Sequence, residues 1–272
     1  MIYETVQLGK FAEATLTPIC FSHTMERSPR AHRAVIVCPG GGYNHLSPRE
    51  AEPIAAQFLA AGFATFILHY GVGKNAANYR PLKQLALAIR HVRENAQKYS
   101  VDPDYIFVCG FSAGGHLAAS AGILWNSPVL DEIAAGAPRD IVRPTGMILG
   151  YPVISAGKIA HRDSFYELCG KENPTEEELS AFSLEKHVSA DTSPAFIWHT
   201  FADQTVPVQN SLLLAEKMTD AGVPFELHVF PQGRHGLSLC NELTANGKPA
   251  FIEPHTAQWL NLALRWATDF TL

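Results

Sequence analysis

Three side chains in this sequence have the types and spacing that nucleophilic catalysis needs: Ser112, Asp203 and His235. Ser112 is the centre of Gly110-Phe-Ser-Ala-Gly114, a G-x-S-x-G pattern whose chemistry depends on a strand before it and a helix after it. Both are legible. Tyr105–Gly110 is an apolar, β-branched and aromatic run of buried-strand length, and Ala113–Leu124 is rich in Ala, Gly and Leu. A strand that reverses straight into a helix leaves no room for Cβ atoms around the serine, hence the small residues at 110, 113 and 114. The turn pushes the Ser112 backbone toward positive φ and lifts its hydroxyl clear of the sheet. A free hydroxyl is a weak nucleophile, so it needs an imidazole to take its proton and a carboxylate to orient that imidazole.

The order Ser, Asp, His is the one such a triad takes when each member follows a strand. Asp203 lies past the apolar run Ala195–His199, and His235 lies in Pro231-Gln-Gly-Arg-His-Gly236 after Phe225–Phe230. Asp191 is the rival acid, but it precedes its strand and suits a turn with Thr192 and Ser193. His228 sits inside a strand, His116 one turn beyond Ser112 where packing is its expected role, and His69 and His199 fall near strand ends. Gly40-Gly-Gly42 follows Ala34–Cys38 and can turn its amides into a site. The expected oxyanion donors are the N–H groups of Gly40, Gly41 and Ala113. Without a following Gly-Lys-Ser/Thr these glycines do not make a phosphate loop.

The elements that must position these groups alternate. Two β-like segments, Ile2–Leu8 and Ala14–Phe21, precede the strand Ala34–Cys38. Ser47-Pro-Arg-Glu50 reads as a capping box opening a helix to about Gly62. A strand at Phe63–His69, a helix from Pro81 to about Lys98, the elbow strand after the turn-like 101–104, and a strand at Thr145–Gly150 follow. Strands at Ala195–His199 and Phe225–Phe230 flank a helix from about Val208 to Ala221, and a helix at Pro254–Phe270 closes the chain. The succession implies an α/β fold with a mostly parallel central sheet, helices on both faces and an antiparallel start, in one domain spanning 1–272. Residues 151–194, with a capped helix start at Thr175-Glu-Glu-Glu178, form the one long excursion and are expected to make a small cap over the site.

Composition narrows the partners. The 272 residues are 47% hydrophobic and 17% charged, with a net charge of −5 and no block of like charge, which argues for a folded domain and against nucleic acid. No apolar run approaches the ~20 residues of a membrane span. Twelve histidines raise the question of a metal, yet zinc-type His/Cys spacing does not occur, so neither metal nor cofactor is expected. Five scattered cysteines and the N-terminus MIYETVQLGK, with no basic or apolar leader pattern, suit a reduced, cytoplasmic protein. A homo-oligomer is compatible with this composition.

Through CPGGGY (38–43), GFSAGGHLAAS (110–120), TSPAFIWHTFADQTVPVQNS (192–211) and GVPFELHVFPQGRHGLSL (222–239), the chain resembles the α/β-hydrolase superfamily of serine esterases. Within it, the similarity is to hormone-sensitive lipase-like esterases and bacterial acetyl xylan esterases. Pro39 and Phe111 depart from the His and Asp of the former group and point to the latter. The resemblance implies a cofactor-free carboxylesterase removing short acyl groups, such as acetyl, from sugars or xylo-oligosaccharides through an acyl-enzyme. Tyr43, Trp125 and Tyr151, in or near loops, are the aromatic residues expected to border the substrate. Two other readings stay open: a peptidase resembling the prolyl oligopeptidase catalytic domain, and a non-catalytic binding protein on a hydrolase scaffold.

Overall fold

A computed structural model describes residues 2–21 and 31–271. The apolar runs assemble into one eight-stranded sheet of order β1-β2-β4-β3-β5-β6-β7-β8. The strands are β1 (Val6–Gln7), β2 (Thr15–Ile19), β3 (His32–Cys38), β4 (Ala64–His69), β5 (Val101–Phe111), β6 (Gly146–Gly150), β7 (Ala195–Thr200) and β8 (Phe225–Phe230). β2 runs antiparallel to β1 and β4, and every pairing from β4 through β8 is parallel, as the alternation implies. This is the expected α/β-hydrolase architecture, and all strand carboxyl ends from β3 to β8 open on one side.

Side chains alternate across the pleat, so each parallel strand feeds two cores. Ala34, Ile36, Ile106 and Val108 face the helices Arg80–Glu94 and Ala113–Ile123; Val35, Val37, Phe107 and Cys109 face Glu52–Ala60 and Trp259–Asp269. The helix Gln209–Asp220 seals the first layer through Leu214 and Met218. Both faces being covered explains why the central strands read as continuous apolar runs.

Two expectations about elements are corrected. The residues 101–104 do not precede β5 but bulge within it: His32 pairs with Val101 and Ala34 already with Ile106. The Asp102 carboxylate accepts the Asp104 N–H at 3.1 Å inside that bulge, so the local turn chemistry is present while the ladder continues on either side. The capping box at Ser47 does not form. Ser47 makes no side-chain cap, Pro48–Glu50 is a 3-10 turn, and Ala51 (φ −105°, ψ −102°) breaks it from the helix Glu52–Ala60. The excursion does carry the capped helix Glu176–Ala181, with Glu178 N–H to Thr175 Oγ1 at 3.3 Å and Thr175 N–H to Glu178 Oε2 at 2.8 Å. Its other helix is Arg162–Cys169.

Candidate active site

The turn from β5 into the helix Ala113–Ile123 puts Ser112 at φ 54°, ψ −119°, outside the regions L-residues favour. The surroundings hold it there. Its N–H donates to Gly150 O at 3.0 Å, and its carbonyl accepts from His116 N at 3.0 Å and Val153 N at 3.1 Å. Glycine is required on both sides: a Cβ on Gly110 would lie 2.0 Å from Gly114 O, and one on Gly114 would lie 2.1 Å from Cys38 O. Sequence thus supplies the room, and three backbone hydrogen bonds fix the strain.

The loops after β7 and β8 meet the serine. His235 Nε2 is 2.8 Å from Ser112 Oγ, and His235 Nδ1 is 2.6 Å from Asp203 Oδ2. Asp203 is buried, which opposes its charge, yet its carboxyl is held well below the usual carboxylate range by hydrogen bonds from His199 and His235 and by the Val206 amide. Thr205 N–H and Val206 N–H each reach Oδ1 at 2.9 Å. An ionised Asp203 only accepts, so His235 carries its proton on Nδ1 and leaves Nε2 free to accept from the serine. Asp191 is remote: it is exposed at the start of β7, and its carbonyl accepts from Trp125 Nε1 and Arg143. His199 lies buried behind Asp203, 3.5 Å from Oδ2, and does not reach the cleft. His116 is buried under the elbow as expected, taking Tyr43 O–H on Nδ1 and donating from Nε2 to Phe182 O, both at 2.9 Å. Burial pushes its imidazole down to about 4, so it is neutral at ordinary pH.

The glycine loop divides its amides. Gly40 N–H is taken by Glu50 Oε2 at 2.9 Å, so Gly40 is corrected from oxyanion donor to anchor of the loop. Among the described residues no protein acceptor takes the N–H of Gly41 or Ala113, and Gly41 and Gly42 line the cleft with Ser112. Gly41 sits at φ 127°, where a Cβ would strike His45 O at 2.1 Å.

A cleft of about 620 Å³ opens above Ser112 and His235. Its far wall is His161, Asp163, Tyr166, Glu167 and Glu172, all from the excursion 151–194. Asn44, His45, Arg49 and Thr205 complete a lining in which most residues carry a polar group. The three aromatic residues expected at the rim are not in it. Tyr43 is buried against His116; Trp125 packs beneath Arg143 at the opposite end of the sheet beside Asp191; Tyr151 is buried with its ring edge-on to His235, centroids 5.0 Å apart. Polar residues of the helix Arg162–Cys169 take their place. Their only sequence signal is the polar face of that helix, opposite buried Ser164, Phe165 and Leu168. Among the described residues no group of three or more His, Cys, Asp or Glu could hold a metal, and no helix is long and apolar enough to cross a membrane.

Comparison with known proteins places this geometry in context. Residues 23–218 match the BD-FAE family. Endo-1,4-beta-xylanase B of Butyrivibrio fibrisolvens is 39% identical over 216 residues, covering 76% of this chain and 33% of that protein. An acetylxylan esterase of Xylanibacter ruminicola is 32% identical over 212 residues, covering 76% of this chain and 41% of its own. The chain thus spans well under half the length of these curated relatives. Among solved structures, an acetyl ester-xyloside bifunctional hydrolase from Caldicellulosiruptor lactoaceticus superposes with a TM-score of 0.79 at 37% identity, over 93% of this chain and 86% of that one.

Proposed function

Since the chain belongs to the BD-FAE family and is a serine-type carboxylic ester hydrolase of the α/β-hydrolase superfamily, we propose that it removes short acyl groups, acetyl foremost, from sugars or xylo-oligosaccharides. The observation that carries the reading is the hydrogen-bonded line Asp203 Oδ2, His235, Ser112 Oγ at 2.6 and 2.8 Å, ending in an open cleft.

In this mechanism Ser112 Oγ attacks the ester carbonyl as its proton passes to His235 Nε2. The imidazolium is stabilised by Asp203, and the oxyanion is held by the N–H groups of Gly41 and Ala113. Collapse breaks the bond to the alcohol, which leaves with the proton from Nε2, and the acyl group stays on Ser112. Water then enters, gives a proton to Nε2 and attacks the acyl carbonyl. The second collapse returns that proton to Ser112 and releases the carboxylic acid.

The lining supports a carbohydrate alcohol. Asn44, His161, Asp163, Tyr166 and Glu167 offer donors and acceptors for hydroxyl groups, whereas a long acyl chain would need an apolar tunnel that these residues do not supply. The xylanase, the acetylxylan esterase and the acetyl ester-xyloside hydrolase that this chain resembles agree with that class. The test is a series of p-nitrophenyl esters beside acetylated xylo-oligosaccharides, with Ser112→Ala as the inactive control. Rates highest for acetyl and acetate release from the oligosaccharides are expected. Rates that climb from acetyl to octanoyl, with no acetate from any sugar ester, refute the carbohydrate assignment; a fully active Ser112→Ala refutes the serine mechanism.

A further inference from the structure

Glu50 is almost fully buried, and among the described residues no Lys, Arg or His pairs with it. Burying a carboxyl group without a cation is costly unless each oxygen is hydrogen-bonded. Both are: Oε2 accepts Gly40 N–H at 2.9 Å, and Oε1 accepts Tyr151 O–H at 2.6 Å. Burial and the neighbouring Glu50 keep the Tyr151 phenol protonated, its pKa well above the ordinary value. Tyr151 in turn accepts Ser238 N–H at 2.9 Å, three residues past His235, and lays its ring edge against that imidazole. The turn carrying Glu50 grips the same loop again, with Arg49 Nη2 donating to Gly236 O at 2.7 Å and Ser238 Oγ donating to Arg49 O at 2.6 Å.

We propose that Glu50 is a positioning residue that couples the glycine loop to the histidine loop, so that oxyanion donors and base are held at one mutual distance. The inference rests on the serine mechanism proposed above. Gly40 is where the coupling reaches the reacting atoms: a Cβ there would lie 3.1 Å from Ser112 Cβ, and Gly41 is the next amide along. Substrate need not touch Glu50 for its loss to be felt, because a shift of the donors weakens the tetrahedral state more than the ester bound before attack.

Glu50→Gln tests this with little change of shape. A glutamine with its oxygen on Gly40 N–H reaches Tyr151 only by donating NH2 to the phenol oxygen, which leaves the phenol proton without its acceptor; turned the other way it sets NH2 against the Gly40 N–H. The expected result is a kcat reduced roughly 10- to 100-fold, short of the ~10²- to 10³-fold that outright removal of an oxyanion donor costs, with KM held within about twofold. Binding of phenylboronic acid, a tetrahedral mimic at the serine, should weaken by the same factor as kcat/KM. Tyr151→Phe, which cuts the link at its other contact, should show the same split, and the double variant should lose less than the product of the two single losses. A Glu50→Gln enzyme with unaltered kcat and boronate affinity overturns the proposal. So does a loss of rate matched only by fewer titratable active sites, since that is the mark of partial unfolding. If Ser112→Ala retains activity the underlying mechanism fails first; if it is inactive and Glu50→Gln is unimpaired, only the coupling fails.

Discussion

The elbow makes a stability prediction that runs against ordinary substitution rules. Ser112→Ala and Ser112→Gly both lose the Oγ contact to His235, so comparing the two cancels it and leaves the backbone. At φ 54°, ψ −119°, an L-residue carries about 1–3 kcal/mol of strain, and glycine carries little. Glycine also costs about 0.5–1 kcal/mol through the freedom it adds to the unfolded chain. At mid-range the difference leaves Ser112→Gly more stable than Ser112→Ala by about 1 kcal/mol, where an unstrained position would give the opposite order. For a chain of this length each kcal/mol moves Tm by about 2 °C, so calorimetry should place the glycine variant roughly 2 °C higher. Urea titration at constant m-value checks the same difference isothermally. A glycine variant equal to or less stable than the alanine variant would refute the argument that strain at Ser112 is stored by the bonds to Gly150, His116 and Val153.

Other expectations follow from named contacts. Asp203→Asn should lower kcat by about 10³- to 10⁴-fold through the wrong imidazole tautomer, while Asp191→Asn, at the far end of the sheet, should cost little; steady-state rates on an acetyl ester decide, and a reversed order removes Asp203 from its role. His116, pushed down to about 4 by burial against ~6.5 unfolded, stays unprotonated in the native state while the unfolded chain takes up a proton. Its contribution is therefore complete above about pH 6.5 and lost as pH falls toward 4, by up to ~3 kcal/mol, and His116→Gln should flatten the urea midpoint over that window. Parallel curves for the two proteins would contradict this. Gly114→Ala sets a methyl group 2.1 Å from Cys38 O and 2.4 Å from Pro39 O, both backbone, and should cost about 3 kcal/mol or more along with activity. Gly136→Ala, in open space at φ 79°, should cost only about 1 kcal/mol, read from the same denaturation midpoints.

Much of this protein is written in short stretches of chain. Gly110-Phe-Ser-Ala-Gly114 specifies its turn because the steric demand falls on consecutive residues, and the strand-end positions of Asp203 and His235 follow from apolar runs whose length and order need no knowledge of their neighbours. The alternation of strands and helices fixes a parallel sheet and the side on which its loops open. What could not be read is partnership across the fold. Ser47-Pro-Arg-Glu50 has the local pattern of a helix cap, yet Glu50 turns to Gly40 and to Tyr151, 101 residues away. Tyr43, Trp125 and Tyr151 sit beside loops in sequence, but the elbow helix, the far sheet end and the histidine loop bury them in turn. The physical reason is range. Backbone sterics and periodicity act within a few residues, so sequence determines the elements and the elbow. Which amide of a glycine loop stays free, and which side chains face the substrate, depends on donors and acceptors that only tertiary packing brings within 3 Å of one another.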